Sequence, residues 1–283
     1  MELSTWCSPP SKLPPMLQPH VVLFGDSITQ QSFAPGGWGA RLADHFVRRA
    51  DGAKTRRRCA HAFAFCSPTL PRAPLPPPLL LLRVCCAVLN RGYSGYNTRW
   101  ALPLLEKVFP PGGAAPSLVT VFFGANDAAL ADQGSARQHV PLEDYTTNLR
   151  AIVAHIRAAG CDRIVLVTPP PVHEGQRLEW QRTRYSDDAT GVAERTDAAA
   201  AQYGVAVQAL AAELLLPCLD VRAAMLAEGS EAWPPMLSDG LHLSKSGSAF
   251  LFDKLIKLVN SHFADLCVTS CAGKRRCLRH IAC

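Results

Sequence analysis

The sequence predicts an α/β fold: a three-layer α/β/α domain with a central parallel five-stranded sheet. Three observations predict it. Short apolar runs alternate along the chain with longer stretches of helical periodicity. Those runs are continuously apolar, as strands covered on both faces are. The residues with the most chemistry fall just past the strand ends, where parallel sheets collect their reactive groups.

In chain order, Val21-Val22-Leu23-Phe24 reads as the first strand and stops at Gly25-Asp26. Gly39 to Arg49 carries Leu42, Ala43, Phe46 and Val47 at helical spacing. Val88-Leu89-Asn90 is a short strand before Arg91-Gly92, and Arg99 to Phe109 a helix stopped by Pro110-Pro111-Gly112. Leu118 to Phe123 is a further strand, ending at Gly124. Leu142 to Ala159 is amphipathic, with Tyr145, Leu149, Ile152, Val153 and Ile156 on one face and Gly160 as its stop. Arg163 to Thr168 is a strand closed by prolines. Glu194 to Leu216 is an Ala-rich helix with an interruption expected near Gly204. Cys218 to Val221 is the last strand and Lys245 to Phe263 the last helix.

At 283 residues, with 48% hydrophobic and 18% charged, the composition is that of a soluble globular protein. No apolar run reaches the roughly 20 residues that span a bilayer. The first twenty residues hold Glu2, Lys12 and several prolines and no continuous apolar stretch, so no secretory signal and a cytoplasmic location are expected. The net charge of +6 equals what the segment 52–87 alone supplies, through Lys54, Arg56, Arg57, Arg58, Arg72 and Arg83 with no acid. The tail from Cys267 adds Lys274, Arg275, Arg276 and Arg279, so the body of the domain is mildly acidic. Neither a nucleic-acid partner nor a membrane partner is expected. Of the eleven cysteines, eight fall in the same two segments, Cys7 lies in the N-terminal arm and only Cys161 and Cys218 in the body; an odd, clustered count argues against a disulfide framework. The tail's C-x3-C-x5-C-x2-H-x2-C pattern lacks the paired CxxC knuckles of structural zinc sites, and no metal is assigned.

Four motifs carry chemistry. Gly25-Asp26-Ser27 follows a strand; its serine is either a helix N-cap or a nucleophile held at the sheet edge. Asn90-Arg91-Gly92-Tyr93-Ser94-Gly95-Tyr96-Asn97 offers turn glycines or, at Gly92, a backbone N–H aimed at an oxyanion. Gly124-Ala125-Asn126-Asp127 offers a turn asparagine or an amide donor to the same oxyanion. Ser238-Asp239-Gly240-Leu241-His242 puts a carboxylate and an imidazole three residues apart, so that one orients the other as a general base.

In this order the four motifs resemble the blocks of the GDSL/SGNH hydrolases. Gly36-Gly37-Trp38-Gly39, Gly92-Tyr93-Ser94-Gly95-Tyr96-Asn97-Thr98-Arg99-Trp100 and Gln138-His139-Val140-Pro141-Leu142 narrow the resemblance to the isoamyl acetate-hydrolysing esterases. Thr168-Pro169-Pro170-Pro171 and Thr190-Gly191-Val192-Ala193-Glu194-Arg195-Thr196 look most like plant members. The resemblance covers about residues 20–51 and 88–265. It implies a flavodoxin-like sheet and hydrolysis of short-chain or acetate esters, with no cofactor and no metal. It implies Ser27 as nucleophile, His242 and Asp239 as its partners, and Ser27, Gly92 and Asn126 as the oxyanion hole. Asp26 and Asp127 are read as loop-shaping residues, and Trp38, Tyr96 and Trp100 as pocket walls or, equally, core packing. The expected partner is a small-molecule ester. A thioesterase or acetyl-transferring relative would use the same residues.

The departures are as informative. Residues 1–19 read as a flexible arm, 20–265 as the domain and 266–283 as a basic Cys-rich tail. In the resembling family Asp51 runs almost directly into Val88; here 52–87 intervenes, with six prolines and the tract Leu75-Pro76-Pro77-Pro78-Leu79-Leu80-Leu81-Leu82. Pro/Leu runs encode pyrimidine tracts, so the segment reads as a translated intron and an expected disordered loop. On that hypothesis the chain is a splice-derived isoform, catalytically impaired if the insert displaces Gly92. Genomic DNA lacking GT and AG at the two junctions would exclude that origin.

Overall fold

The five strands are β1 (His20–Gly25), β2 (Ala87–Gly92), β3 (Leu118–Phe122), β4 (Ile164–Val167) and β5 (Cys218–Leu219). They form one parallel sheet in the order β2-β1-β3-β4-β5. The structure, a computed structural model, describes residues 20–50, 86–186 and 190–267. The N-terminal arm, nearly all of the intervening segment and nearly all of the Cys-rich tail lie outside the described residues.

Successive strand residues point to opposite faces, so continuous apolar strands feed two cores. Val21 and Leu23 of β1, Leu118 and Phe122 of β3, and Val165 and Val167 of β4 pack on one side. That side is covered by α2 (Trp38–Ala50), α8 (Val221–Leu226) and α9 (Lys245–His262). Val22, Phe24, Val119, Val121, Ile164 and Leu166 pack on the other, under α3 (Thr98–Ala101), α4 (Leu105–Val108), α5 (Leu142–Ala158) and α7 (Asp197–Glu213). Side-chain oxygens of Thr196, Asp220 and Ser244 accept the first-turn N–H groups of α7, α8 and α9, which starts each helix where the preceding loop ends.

Several expectations shift for physical reasons. Ala87, the last residue of the segment 52–87 that the sequence sets apart, pairs with His20 in β2, and the register runs unbroken to Gly25 opposite Gly92. The helix expected over 99–109 is broken into α3, a 3-10 turn (Leu102–Leu104) and α4, because Pro103 sits in its middle. No interruption occurs at Gly204. It is buried in α7, where an added Cβ would lie 3.7 Å from the Thr168 Cβ, an ordinary contact.

Order reverses between β1 and β3: β2 follows β1 on one side, and β3 to β5 continue on the other. Such switch points open a crevice at the carboxyl edge of the sheet. The motif residues after β1, β2 and β3 all lie at that edge.

Candidate active site

Ser27 is the first residue of α1 (Ser27–Gln30), directly after β1. Asp26 caps this short helix by accepting the Ile28 N–H at 2.9 Å. The Ser27 N–H, in the first turn, meets no acceptor among the described residues. Its hydroxyl lies 2.8 Å from His242 Nε2. His242 Nδ1 is 2.7 Å from Asp239 Oδ2, while Asp239 Oδ1 accepts the backbone N–H groups of Leu241 (3.0 Å) and His242 (2.7 Å). The bridge between Leu237 and Leu243 and the Ser238 N–H to His242 carbonyl bond (2.8 Å) tie this loop into a tight hairpin.

Burial alone would raise the Asp239 carboxyl. The hydrogen bond and charge of His242 and the two backbone N–H groups outweigh it and bring the pKa down to about 2. Asp239 therefore stays ionised at neutral pH. It holds Nδ1–H as a hydrogen-bond acceptor and leaves Nε2 facing the hydroxyl.

Asn126 is buried just past β3. Its Nδ2 donates to the Tyr96 carbonyl at 2.9 Å and its Oδ1 accepts from Arg195 Nη2 at 3.1 Å. One Nδ2–H remains for a ligand. The next residue, Asp127, accepts the Thr98 N–H (2.8 Å) and hydroxyl (2.5 Å), which clamps the β3 loop to the start of α3. Burial pushes Asp26 up to about 6; the Ile28 N–H and the charges of His242 and Arg195 oppose it. Burial likewise pushes Asp127 up to about 7, against the Thr98 bonds and helped by the Asp26 charge.

Gly92 is placed differently from what its motif implies. Its N–H already donates to Asn90 Oδ1 at 2.9 Å, and it is needed as glycine because a Cβ there would lie 2.0 Å from the Gln30 nitrogen. Gly95, three residues on, turns the chain at φ +77°. Its N–H meets no acceptor among the described residues, and it directly precedes Tyr96, whose carbonyl holds Asn126. Unlike that of Gly92, the Gly95 N–H is thus a backbone donor left without an acceptor among the described residues.

The aromatic residues also divide. Trp38 is 1% exposed; it packs on Phe122 and donates Nε1–H to the Ile28 carbonyl at 3.2 Å. It braces α1 from within the core and is not a pocket wall. Tyr96 and Trp100 are half-buried and meet edge to face, with Tyr93 against Tyr96 and the Arg137 guanidinium over Trp100.

A set of residues not assigned any role from sequence lies behind the site. Helix α6 (Glu174–Tyr185) brings in Arg177, which donates from Nη1 to Asp239 Oδ2 at 3.0 Å and from Nε to Glu194 at 2.9 Å. Glu194 also accepts from Arg195 Nη1 (2.5 Å) and from the Ser135 hydroxyl (2.7 Å). Arg177, Glu194 and Arg195 are 4%, 2% and 3% exposed. Burial raises the Glu194 carboxyl, but the charge of Arg195 and the bonds from Ser135 and Arg177 bring it below the usual range. The only sequence signal was the charge pair Glu194-Arg195 in a stretch shared with the resembling esterases.

A serine in hydrogen bond to a histidine, itself held by a half-buried carboxylate at the switch point of a parallel sheet, defines a serine-hydrolase type of site. The chain belongs to the GDSL-like lipase/acylhydrolase family, whose model matches residues 80–250. The match begins beyond Ser27, whose assignment stands on the geometry above. A GDSL esterase/lipase of Arabidopsis thaliana is 40% identical over 86% of this chain and 86% of its own length. An isoamyl acetate-hydrolyzing esterase 1 homolog of Bos taurus is 36% identical over 89% of this chain and 86% of its own. Among solved structures, an acetylxylan esterase from Geobacillus stearothermophilus superposes with a TM-score of 0.56 at 19% identity, covering 85% of this chain and 94% of that one. This last likeness shows the fold, a lipase/acylhydrolase α/β architecture. By family the protein is a serine ester hydrolase. Among the described residues no helix is long and apolar enough to cross a membrane.

Proposed function

We propose that the protein hydrolyses short-chain carboxylic esters, acetate esters foremost, by two-step acyl transfer through Ser27, His242 and Asp239. The observation that carries this reading is the hydrogen-bonded line Ser27 Oγ–His242 Nε2–Asp239, at 2.8 and 2.7 Å. His242 Nε2 takes the hydroxyl proton as Ser27 Oγ attacks the ester carbonyl. The tetrahedral oxyanion receives the Ser27 and Gly95 N–H groups and the spare Asn126 Nδ2–H. Collapse expels the alkoxide, which leaves as the alcohol with the proton from His242. A water deprotonated by the same nitrogen then attacks the acyl-serine and releases the acid. Preference for a small acyl group is supported by the isoamyl acetate-hydrolyzing esterase homologs among its relatives.

A fluorophosphonate probe tests the nucleophile. The expected result is a single adduct on the peptide containing Ser27, absent from Ser27→Ala. Labelling that persists in Ser27→Ala, or an adduct elsewhere, would remove Ser27 from the mechanism.

A further inference from the structure

Arg195 spends every one of its donors. Nε–H goes to the Ala125 carbonyl at 3.0 Å, and Nη1 to Glu194 Oε1 (2.5 Å) and the Ser135 hydroxyl (3.4 Å). Nη2 goes to Asn126 Oδ1 (3.1 Å) and to Gln138 Oε1. A guanidinium carries five N–H donors in a rigid fork, and here five acceptors surround it at a site 3% exposed. Two of those acceptors, the Ala125 carbonyl and Asn126 Oδ1, belong to the loop that presents the amide.

The consequence lies in which way the Asn126 amide points. Oδ1 faces a cation that can only donate; Nδ2 faces the Tyr96 carbonyl, which can only accept. Turning the amide over would set donor against donor and acceptor against acceptor, with both bonds lost in a buried place. Without Arg195 the Nδ2 end has only the Tyr96 carbonyl to select it. The same guanidinium draws electron density toward Oδ1 and makes the remaining Nδ2–H a stronger donor. Gln138, gripped by Nη2, also donates to the Gly95 carbonyl at 3.0 Å, so the loop bearing the second backbone donor hangs on the same cation. Glu194 balances the charge, and Arg177 joins Glu194 to Asp239. A continuous buried line thus runs from the carboxylate behind His242 to the amide of Asn126.

We propose that Arg195 is a positioning residue that fixes the Asn126 amide as oxyanion donor, an inference resting on the acyl-transfer reading above. Lysine keeps the charge opposite Glu194 but has three donors for five acceptors, so it cannot keep all of these contacts. Arg195→Lys and Arg195→Gln, Asn126→Ala and the two double variants are compared with wild type and Ser27→Ala on p-nitrophenyl acetate, with circular dichroism and melting for each. Losing one oxyanion donor costs on the order of 10²–10³ in kcat. A misdirected donor costs part of that, so Arg195→Lys is expected to lower kcat about 10- to 100-fold with KM within about 3-fold. In the Asn126→Ala background the same change is expected to cost a clearly smaller fold-loss, since the amide it orients is gone and only the Gly95 loop still hangs on the cation. Equal fold-losses in both backgrounds would overturn the proposal, as would a rise in KM with kcat unchanged. If Arg195→Gln does not fold, the lysine cycle decides; loss of fold in both variants would make the arginine a requirement of the fold and overturn the proposal. Wild type without Ser27-dependent turnover identifies failure of the acyl-transfer reading itself, and the proposal falls with it.

Discussion

Replacing Arg177 with methionine, of similar length and without charge, tests whether the buried line of charges holds the site. In the native protein the guanidinium is 4% exposed, donates to Asp239 at 3.0 Å and to Glu194 at 2.9 Å, and stacks 3.9 Å from the Trp180 ring centre. Methionine fills the volume but leaves Glu194 with Arg195 and the Ser135 hydroxyl, and Asp239 with His242 and two backbone N–H groups. Replacing a whole buried ion pair by apolar groups can be neutral, whereas removing one partner costs about 3–5 kcal/mol. At about 2–4 °C per kcal/mol for a domain of this size, the melting temperature at neutral pH should fall by about 6–20 °C. Calorimetry measures the shift. A melting temperature within about 2 °C of wild type would refute the energetic argument.

Three further outcomes are expected. Asp239→Asn should lower kcat by about 10³–10⁴-fold with little change in KM, because the imidazole loses the acceptor that fixes its tautomer; a loss under tenfold would contradict that role. Gly92→Ala should destabilise the fold by at least about 1–3 kcal/mol, since its Cβ would lie 2.0 Å from the Gln30 backbone nitrogen, and unchanged denaturant unfolding would show that the crossing of β2 and α1 gives way. Asp26 and Asp127 have folded-state pKa values raised from 3.8 to about 6 and about 7. Their contribution to stability is therefore full below about pH 4 and lost as pH rises through those values. Asp127→Asn should flatten the decline in melting temperature between pH 4 and 7; the same slope in both proteins would exclude Asp127 as its source.

Much of this architecture was legible in the sequence, and the exceptions have a common cause. Strands such as Leu118–Phe122 are buried on both faces, so their apolar runs could not be mistaken. Helix α5 shows an apolar stripe because Tyr145, Leu149, Ile152, Val153 and Ile156 all meet the sheet. Helix α6 escaped because the side chains it buries are Arg177 and Gln181, which carry no hydrophobic period. The site divides in the same way. Ser27, Asp239 and His242 stand in local motifs whose spacing states their geometry. The choice between Gly92 and Gly95 depends on which N–H is already engaged, and Asn90 Oδ1 decides it from within the same loop. Arg177 and Arg195 reach the site from 62 residues before Asp239 and 69 after Asn126. Separations of that size leave no local signal. Trp38 sits among glycines as a pocket residue might, and only its 1% exposure assigns it to the core.

The central claim is that Ser27 attacks an ester carbonyl with His242 as its base. The most direct measurement is hydrolysis of p-nitrophenyl acetate by the full 283-residue chain beside its Ser27→Ala variant, both shown to be folded. The account predicts turnover in the first that is lost by at least about 10³-fold in the second. Equal turnover in the two proteins would contradict it.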